Sequence, residues 1–193
     1  VNTGGNHADP TADYASIPGE MKAVAAVFGK QVLREVSESD VRGAIPTLRE
    51  RVGDRAILRA LHFFAENRRV AVQKEALLRA CNATDPTEVQ AAVDTFFENV
   101  LASGRSSFCY LQNVYANAHP VEQGLSLELC LCEELLGDQR AAWRVHGGGF
   151  AGTVQAFLPA ACVDAFAHAM DAAFGRGACM CLSIRSVGAA RIL

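Results

Sequence analysis

The chain has 193 residues, 50% of them hydrophobic, with 18 basic against 21 acidic side chains and a net charge of −3. That is enough apolar material for one compact domain with a substantial core, or a domain with an attached lobe. The mild acidity excludes a large basic field and argues against nucleic acid as a partner; no apolar run approaches the roughly 18 residues of a membrane span.

VNTGGNHADPTADY is a polar, glycine-containing opening in which Thr11 or Asp13 can cap a helix. It begins with Val1 rather than Met, which predicts a fragment whose upstream half is missing. Ile17, Met21, Val24, Ala25 and Phe28 then recur at helical spacing, and Gly29 stops the helix. Pro18 sits early enough to be tolerated. SESDVRGAIPTLRERVG predicts two short helices, one started by Ser39 or Asp40, the other started or kinked by Pro46. From Asp54 to about Cys81 there is no Gly or Pro. Ile57, Leu58, Leu61, Phe64, Ala65, Val72, Ala76 and Leu77 alternate with charges there, which predicts one long amphipathic helix. Asp85 as N-cap, Pro86 at the first helical position and Glu88 three residues after the cap start the next. Its buried face is expected to be Val89, Val93, Phe96, Phe97 and Val100. GRSSFCYLQNVYANAHP reads as a short helix plus loop. A helix opened by Pro120, lined by Leu127, Leu131 and Leu135, ends at Gly137. Residues 14–137 thus read as helical hairpins, five to six helices in all.

After Gly137 the pattern changes. AAWRVH reads as a strand, GGGFAG as a loop and TVQAFLP as a strand with Val154, Ala156 and Leu158 alternating. Pro159 opens a helix carrying Val163, Phe166, Met170 and Phe174 on one face, ended by Gly175 or Gly177. ACMCLSI and AARIL read as two further strands, joined near Gly188. The predicted class is α+β, helical hairpins packed on a small, mostly antiparallel four-stranded sheet.

Cys81, Cys109, Cys130, Cys132, Cys162, Cys179 and Cys181 form an odd set with no secretory signal, which predicts reduced, buried thiols in a cytoplasmic protein. The C-x-C pairs Cys130/Cys132 and Cys179/Cys181 lack zinc-site spacing, so no metal is expected. The glycine loop has two readings. Bare N–H groups can approach an anion, as in phosphate loops, or a tight strand connection can require positive φ. His146 is either a donor to a phosphate or sugar oxygen or a strand-end histidine bonded to backbone. Tyr110, Gln112 and Asn113 set polar groups beside an aromatic, which suits carbohydrate but is common in loops. His62, Glu66 and Arg69 share one helical face and predict an intrahelical polar network. His7 and Asp9 either line a cleft or lie on a solvated arm.

Four stretches stand out in order. NHADPTADYASIPGEMKAVAAVFG places His7 and Tyr14 ahead of a helix ending in glycine. LHFFAENRRV supplies His62, Glu66, Asn67 and Arg69. WRVHGGGFAGTVQAFL supplies Arg144, Gly147, Gly148, Gly149, Phe150 and Gly152. SVGAARIL closes the chain with Gly188 and Ala189. Together they resemble the C-terminal domain of galactokinases, members of the GHMP small-molecule kinase superfamily. The second is similar to the family's R-A-R-H-x-x-x-E-N-x-R, and the third, the specific one, to R-M-T-G-G-G-F-G-G. His146 stands where the family has threonine, and Ala151 where it has glycine. The family's sugar-facing tyrosine, in S-L-R-D-D-Y-E-V-S, aligns with Leu111; Tyr110 is adjacent but would point elsewhere on a helix.

The resemblance implies transfer of the ATP γ-phosphoryl to the anomeric hydroxyl of galactose, with an aspartate orienting that hydroxyl and Mg²⁺ on the phosphates. The aspartate, the sugar-binding segment and the P-x-G-x-G-L-S-S-S nucleotide loop belong to an N-terminal domain that these residues do not contain. That domain is therefore the expected partner, ATP and Mg²⁺ are expected in the intact enzyme, and the chain alone is expected to be inactive. Gly147, Gly148, Gly149 and Gly152, with His146, are expected to support the phosphate pocket, and Tyr110, Leu111 and Gln112 to face the sugar. Two alternatives stand: a kinase for another sugar or small alcohol, and a non-catalytic galactokinase-like sensor. An apolar patch covered by the missing half would make the chain self-associate.

Overall fold

Helix boundaries follow the capping chemistry. The computed structural model describes residues 1–4, 11–150, 152–184 and 187. Helix α1 spans Thr11–Val27, and the chain turns away at Gly29 with φ 70°. Helix α2, Glu38–Gly43, starts two or three residues earlier than Ser39 or Asp40 as cap would place it. Ser37 is its cap, with Oγ accepting from the Asp40 N–H at 3.0 Å. Helix α3, Ile45–Arg51, carries Pro46 in its first turn. Helix α4 is the long one, Asp54–Asn82, 29 residues. Asp85 then caps α5, Pro86–Ser106, accepting from the Thr87 N–H at 2.9 Å, a bond that holds its carboxyl below the usual range.

Helices α4 and α5 pair as a hairpin, and α1 to α3 pack on the first half of α4. Val24, Val41, Leu48, Ala56 and Ala60 are buried there. Arg59 is buried among them; its Nη1 donates to Ser16 Oγ at 2.8 Å and pairs with Glu20 at 2.9 Å. The distal half of α4 leaves Val70, Val72, Leu77 and Leu78 exposed. A π-helical turn, Ser107–Leu111, continues α5 and ends at Gln112, φ 56°.

Helix α6 is Gly124–Leu136, so Pro120 precedes it by a loop. Its buried face is Leu125, Glu128, Cys132 and Leu136, while Leu127 and Leu135 are exposed. Leucines stand on both sides of this helix, so periodicity alone did not identify the face that the sheet covers. Strand β1, Ala142–His146, pairs antiparallel with β2, Thr153–Phe157; Ala142 lies opposite Phe157 and His146 opposite Thr153. Helix α7, Val163–Phe174, follows a short 3₁₀ turn at Ala160–Cys162. Phe166 and Met170 of α7 join Leu125, Cys132, Leu136, Val145 and Val154 in a second core.

The class is α+β, and two of the four expected strands form a sheet. Among the described residues it has two strands. Cys179–Ile184 makes no ladder, and 189–193, the expected last strand, lies outside the described residues. Instead the polar opening runs beside β2. The Val154 N–H donates to the Val1 carbonyl at 3.1 Å, Thr3 N–H to Gly152 at 2.9 Å, and Asn2 N–H onward to Ala178 at 2.8 Å. Backbone pairing needs no apolar side chain, so alternation gave no sign of it. Met180, Leu182 and Ile184 are strongly exposed at alternate positions just beyond. No helix among the described residues is long and apolar enough to cross a membrane.

Glu128 is wholly buried under this edge, with no hydrogen-bond partner for either carboxyl oxygen among the described residues. Burial pushes its carboxyl up to about 8, from an ordinary 4.5. The folded state therefore keeps a proton that the unfolded chain releases, and stability falls as pH rises through that window. Glu128→Gln removes this component. In urea unfolding, its stability relative to the parent is expected to improve steadily from about pH 5 to about pH 8.

Candidate functional site

Residues 147–152 connect β1 to β2, and the loop's shape is set by backbone conformation first. Gly147, Gly149 and Gly152 have φ of 73°, 80° and 107°. Phe150 also sits at φ 60°, a left-handed conformation that costs a bulky residue about 1–2 kcal/mol. Two side chains from distant elements hold that shape.

The first is Asn113, 1% exposed, just past the π-helical turn. Its Nδ2 donates to the Gly148 carbonyl at 2.9 Å, and its backbone carbonyl accepts from the Phe150 N–H at 2.5 Å. Its Oδ1 accepts from the Ser107 hydroxyl at 2.7 Å. The second is Tyr14 on α1. Its hydroxyl donates to the Gly149 carbonyl at 2.7 Å, and its ring meets Phe150 edge-on at 5.4 Å. A Cβ at Gly148 would overlap the Tyr14 ring, and one at Gly149 would overlap Asn113, whereas Gly147 faces open space. Within this chain Tyr14 therefore requires glycine at 148, and the backbone and side chain of Asn113 require it at 149. Gly147 is required by φ alone.

The carbonyls of Gly148 and Gly149 are therefore tied inward. Among the described residues nothing accepts from the N–H groups of Gly147, Gly148 or Gly149, and Gly147 and Gly148 are exposed. Successive bare amides attract anions. His146 stands exposed beside them, its Nδ1 3.2 Å from Gln155 Oε1 on the neighbouring strand. It is held by a side chain rather than by backbone.

Tyr110 and Gln112 are exposed and Leu111 is half-buried on the π-helical turn. Asn113, grouped with them from the sequence as sugar-facing, is instead turned under the loop. The sequence reading missed Ser107 altogether and gave Tyr14 no contact. A left-handed Gln112 is what swings Asn113 inward, and no residue type at 112 announces it.

The charged face of α4 forms a separate cluster. Glu66 accepts from Arg69 Nε at 2.6 Å and from the Ser103 hydroxyl at 2.7 Å. Arg144 Nη1 donates to Ser103 Oγ at 2.6 Å, and His62 Nδ1 lies 3.0 Å from Ser106 Oγ. Only the Glu66–Arg69 pair is intrahelical; the rest joins α4, α5 and β1. Burial alone would raise the Glu66 carboxyl, but the bonds from Ser103 and Arg69 outweigh it and hold it low. Burial pushes the His62 imidazole down. Arg144 is committed to this network rather than to the loop.

All seven cysteines are free thiols, but Cys81, Cys109, Cys130 and Cys181 are exposed rather than buried as expected, the first three because they fall on the outer faces of their helical elements; burial pushes Cys132 up to about 12, which leaves it unreactive. Among the described residues no group of three or more His, Cys, Asp or Glu could hold a metal ion. His7, Asp9, Ala151, Gly188 and Ala189 lie outside the described residues. No protein-family model matches the chain, and no curated protein matches it significantly.

The two kinds of glycine separate on substitution. Gly147→Ala is expected to lose about 1 kcal/mol, the cost of a left-handed alanine. Gly149→Ala adds a backbone collision to that strain and is expected to lose about 3 kcal/mol or more. Tyr14→Phe, which leaves the Gly149 carbonyl unpaired, falls between at about 1–2 kcal/mol. Urea unfolding of the three variants measures the order.

Proposed function

We propose that this chain is the C-terminal domain of a galactokinase-like enzyme that transfers the γ-phosphoryl of ATP to the anomeric hydroxyl of galactose. The observation that carries the reading is the loop: its carbonyls are bound back into the protein while three successive glycine amides have no described acceptor. Such amides are suited to phosphate oxygens, and they cost little reorganisation because Tyr14 and Asn113 already hold the backbone. His146, exposed at the loop's start, is placed to donate to a phosphate or sugar oxygen. Tyr110, Leu111 and Gln112 provide the sugar side. The aspartate that orients the hydroxyl, and the ligands of Mg²⁺, are assigned to an upstream domain.

A GHMP-type four-stranded sheet belongs to the same reading. Its two further strands are assigned to ACMCLSI and AARIL, and the bond from the Asn2 N–H to the Ala178 carbonyl, beside β2, supports the first. The exposed Met180, Leu182 and Ile184 are then a face for the upstream domain.

The test is ADP release by the full protein that contains this sequence. Galactose-dependent release is expected, with none from the 193-residue chain alone. Release only with another sugar or small alcohol would keep the kinase and discard galactose. No release with any substrate would favour a non-catalytic sensor. Sedimentation of the 193-residue chain at high concentration is expected to show self-association that Leu182→Glu reduces; a clean monomer would count against the apolar docking face.

A further inference from the structure

We propose that Asn113 is a positioning residue that joins the glycine loop and the turn carrying Tyr110, Leu111 and Gln112 into one rigid body; its catalytic consequence rests on the kinase reading above.

The geometry is a continuous buried chain of hydrogen bonds. Ser107 begins the π-helical turn, and its carbonyl accepts from the Gln112 N–H at 2.8 Å, closing that turn. Its hydroxyl donates to Asn113 Oδ1 at 2.7 Å, and Asn113 Nδ2 donates to Gly148 at 2.9 Å. The Asn113 carbonyl takes the Phe150 N–H at 2.5 Å. Ser107 and Asn113 are each 1% exposed, so water does not replace these partners when one is lost.

One side chain therefore sets the positions of two surfaces that meet different parts of a substrate pair. The turn presents Tyr110 and Gln112, and the loop presents the amides of Gly147 and Gly148. Neither surface shifts without moving the Asn113 amide. Only an amide suits the place. Its oxygen serves Ser107 and its nitrogen serves Gly148, and a carboxylate would set an acceptor against the Gly148 carbonyl. The second tether, Tyr14 on Gly149, comes from α1 and does not involve the turn. Binding a sugar at the turn is thereby transmitted to the phosphate loop through Asn113 and not through Tyr14.

Asn113→Asp keeps size and the bond from Ser107 but removes the donor to Gly148. Ser107→Ala removes only the bond that orients the amide. Amide hydrogen exchange in the ligand-free full protein is expected to rise at least tenfold at Phe150 in both variants, with α4 and the strand pair unchanged. In the same variants the KM for ATP is expected to rise several-fold more than kcat falls, and galactose is expected to lose its influence on ATP affinity. Tyr14→Phe is expected to retain that influence. Unchanged exchange at Phe150 in a folded Asn113→Asp protein would overturn the positioning role, whatever the enzyme does. Raised exchange in a protein with no sugar-dependent turnover would uphold the positioning role and overturn the kinase reading alone. Loss of galactose influence in Tyr14→Phe as well would overturn the assignment of the coupling to Asn113.

Discussion

The hydrogen bonds that Asn113 makes beneath the glycine loop are the constraint on which the site depends. A phenylalanine in a left-handed conformation is unfavourable by itself. It persists because its N–H is held by a buried carbonyl and its ring by Tyr14. The loop in turn sets where β1 ends and β2 begins, so the pairing of His146 with Thr153 depends on the same support. Loop, turn and first helix meet at one point although they are far apart in sequence.

Two apolar cores lie on either side of that point, one under α1 to α4 and one between α6, α7 and the sheet. The Glu66 network spans the ground between them. It pairs α4 with α5 through Ser103 and reaches β1 through Arg144. A buried polar cluster of this kind is favourable only when its members are satisfied together. Its bonds tie the helical part to the strand pair.

Much of this was legible in the sequence. The long α4 followed from an uninterrupted amphipathic run, and α5 from Asp85 and Pro86, because caps and periodicity are local signals. Strands β1 and β2 and the loop between them were equally plain. The buried face of α6 was not, since a helix apolar on both sides leaves the choice to tertiary packing. Cys179–Ile184 alternates like a strand; it makes no ladder among the described residues, and the run expected to pair with it lies outside them. At the site, glycine content was visible but its cause was not. Gly148 and Gly149 are glycine because of Tyr14 and Asn113, and contacts at that sequence distance leave no periodic trace.

The α4 helix has one more consequence. At about 1.5 Å per residue, its 29 residues extend about 43 Å, well past the first core. Its far end, with the Asp85 cap of α5, forms a protruding tip with Leu77 and Leu78 open to solvent. Local stability follows local burial, so this hairpin unzips from the tip inward while the loop stays closed. The connection around Ala83 and Thr84 is accordingly the place where the chain tolerates an inserted segment or meets a protease first, without disturbing the site at the other end.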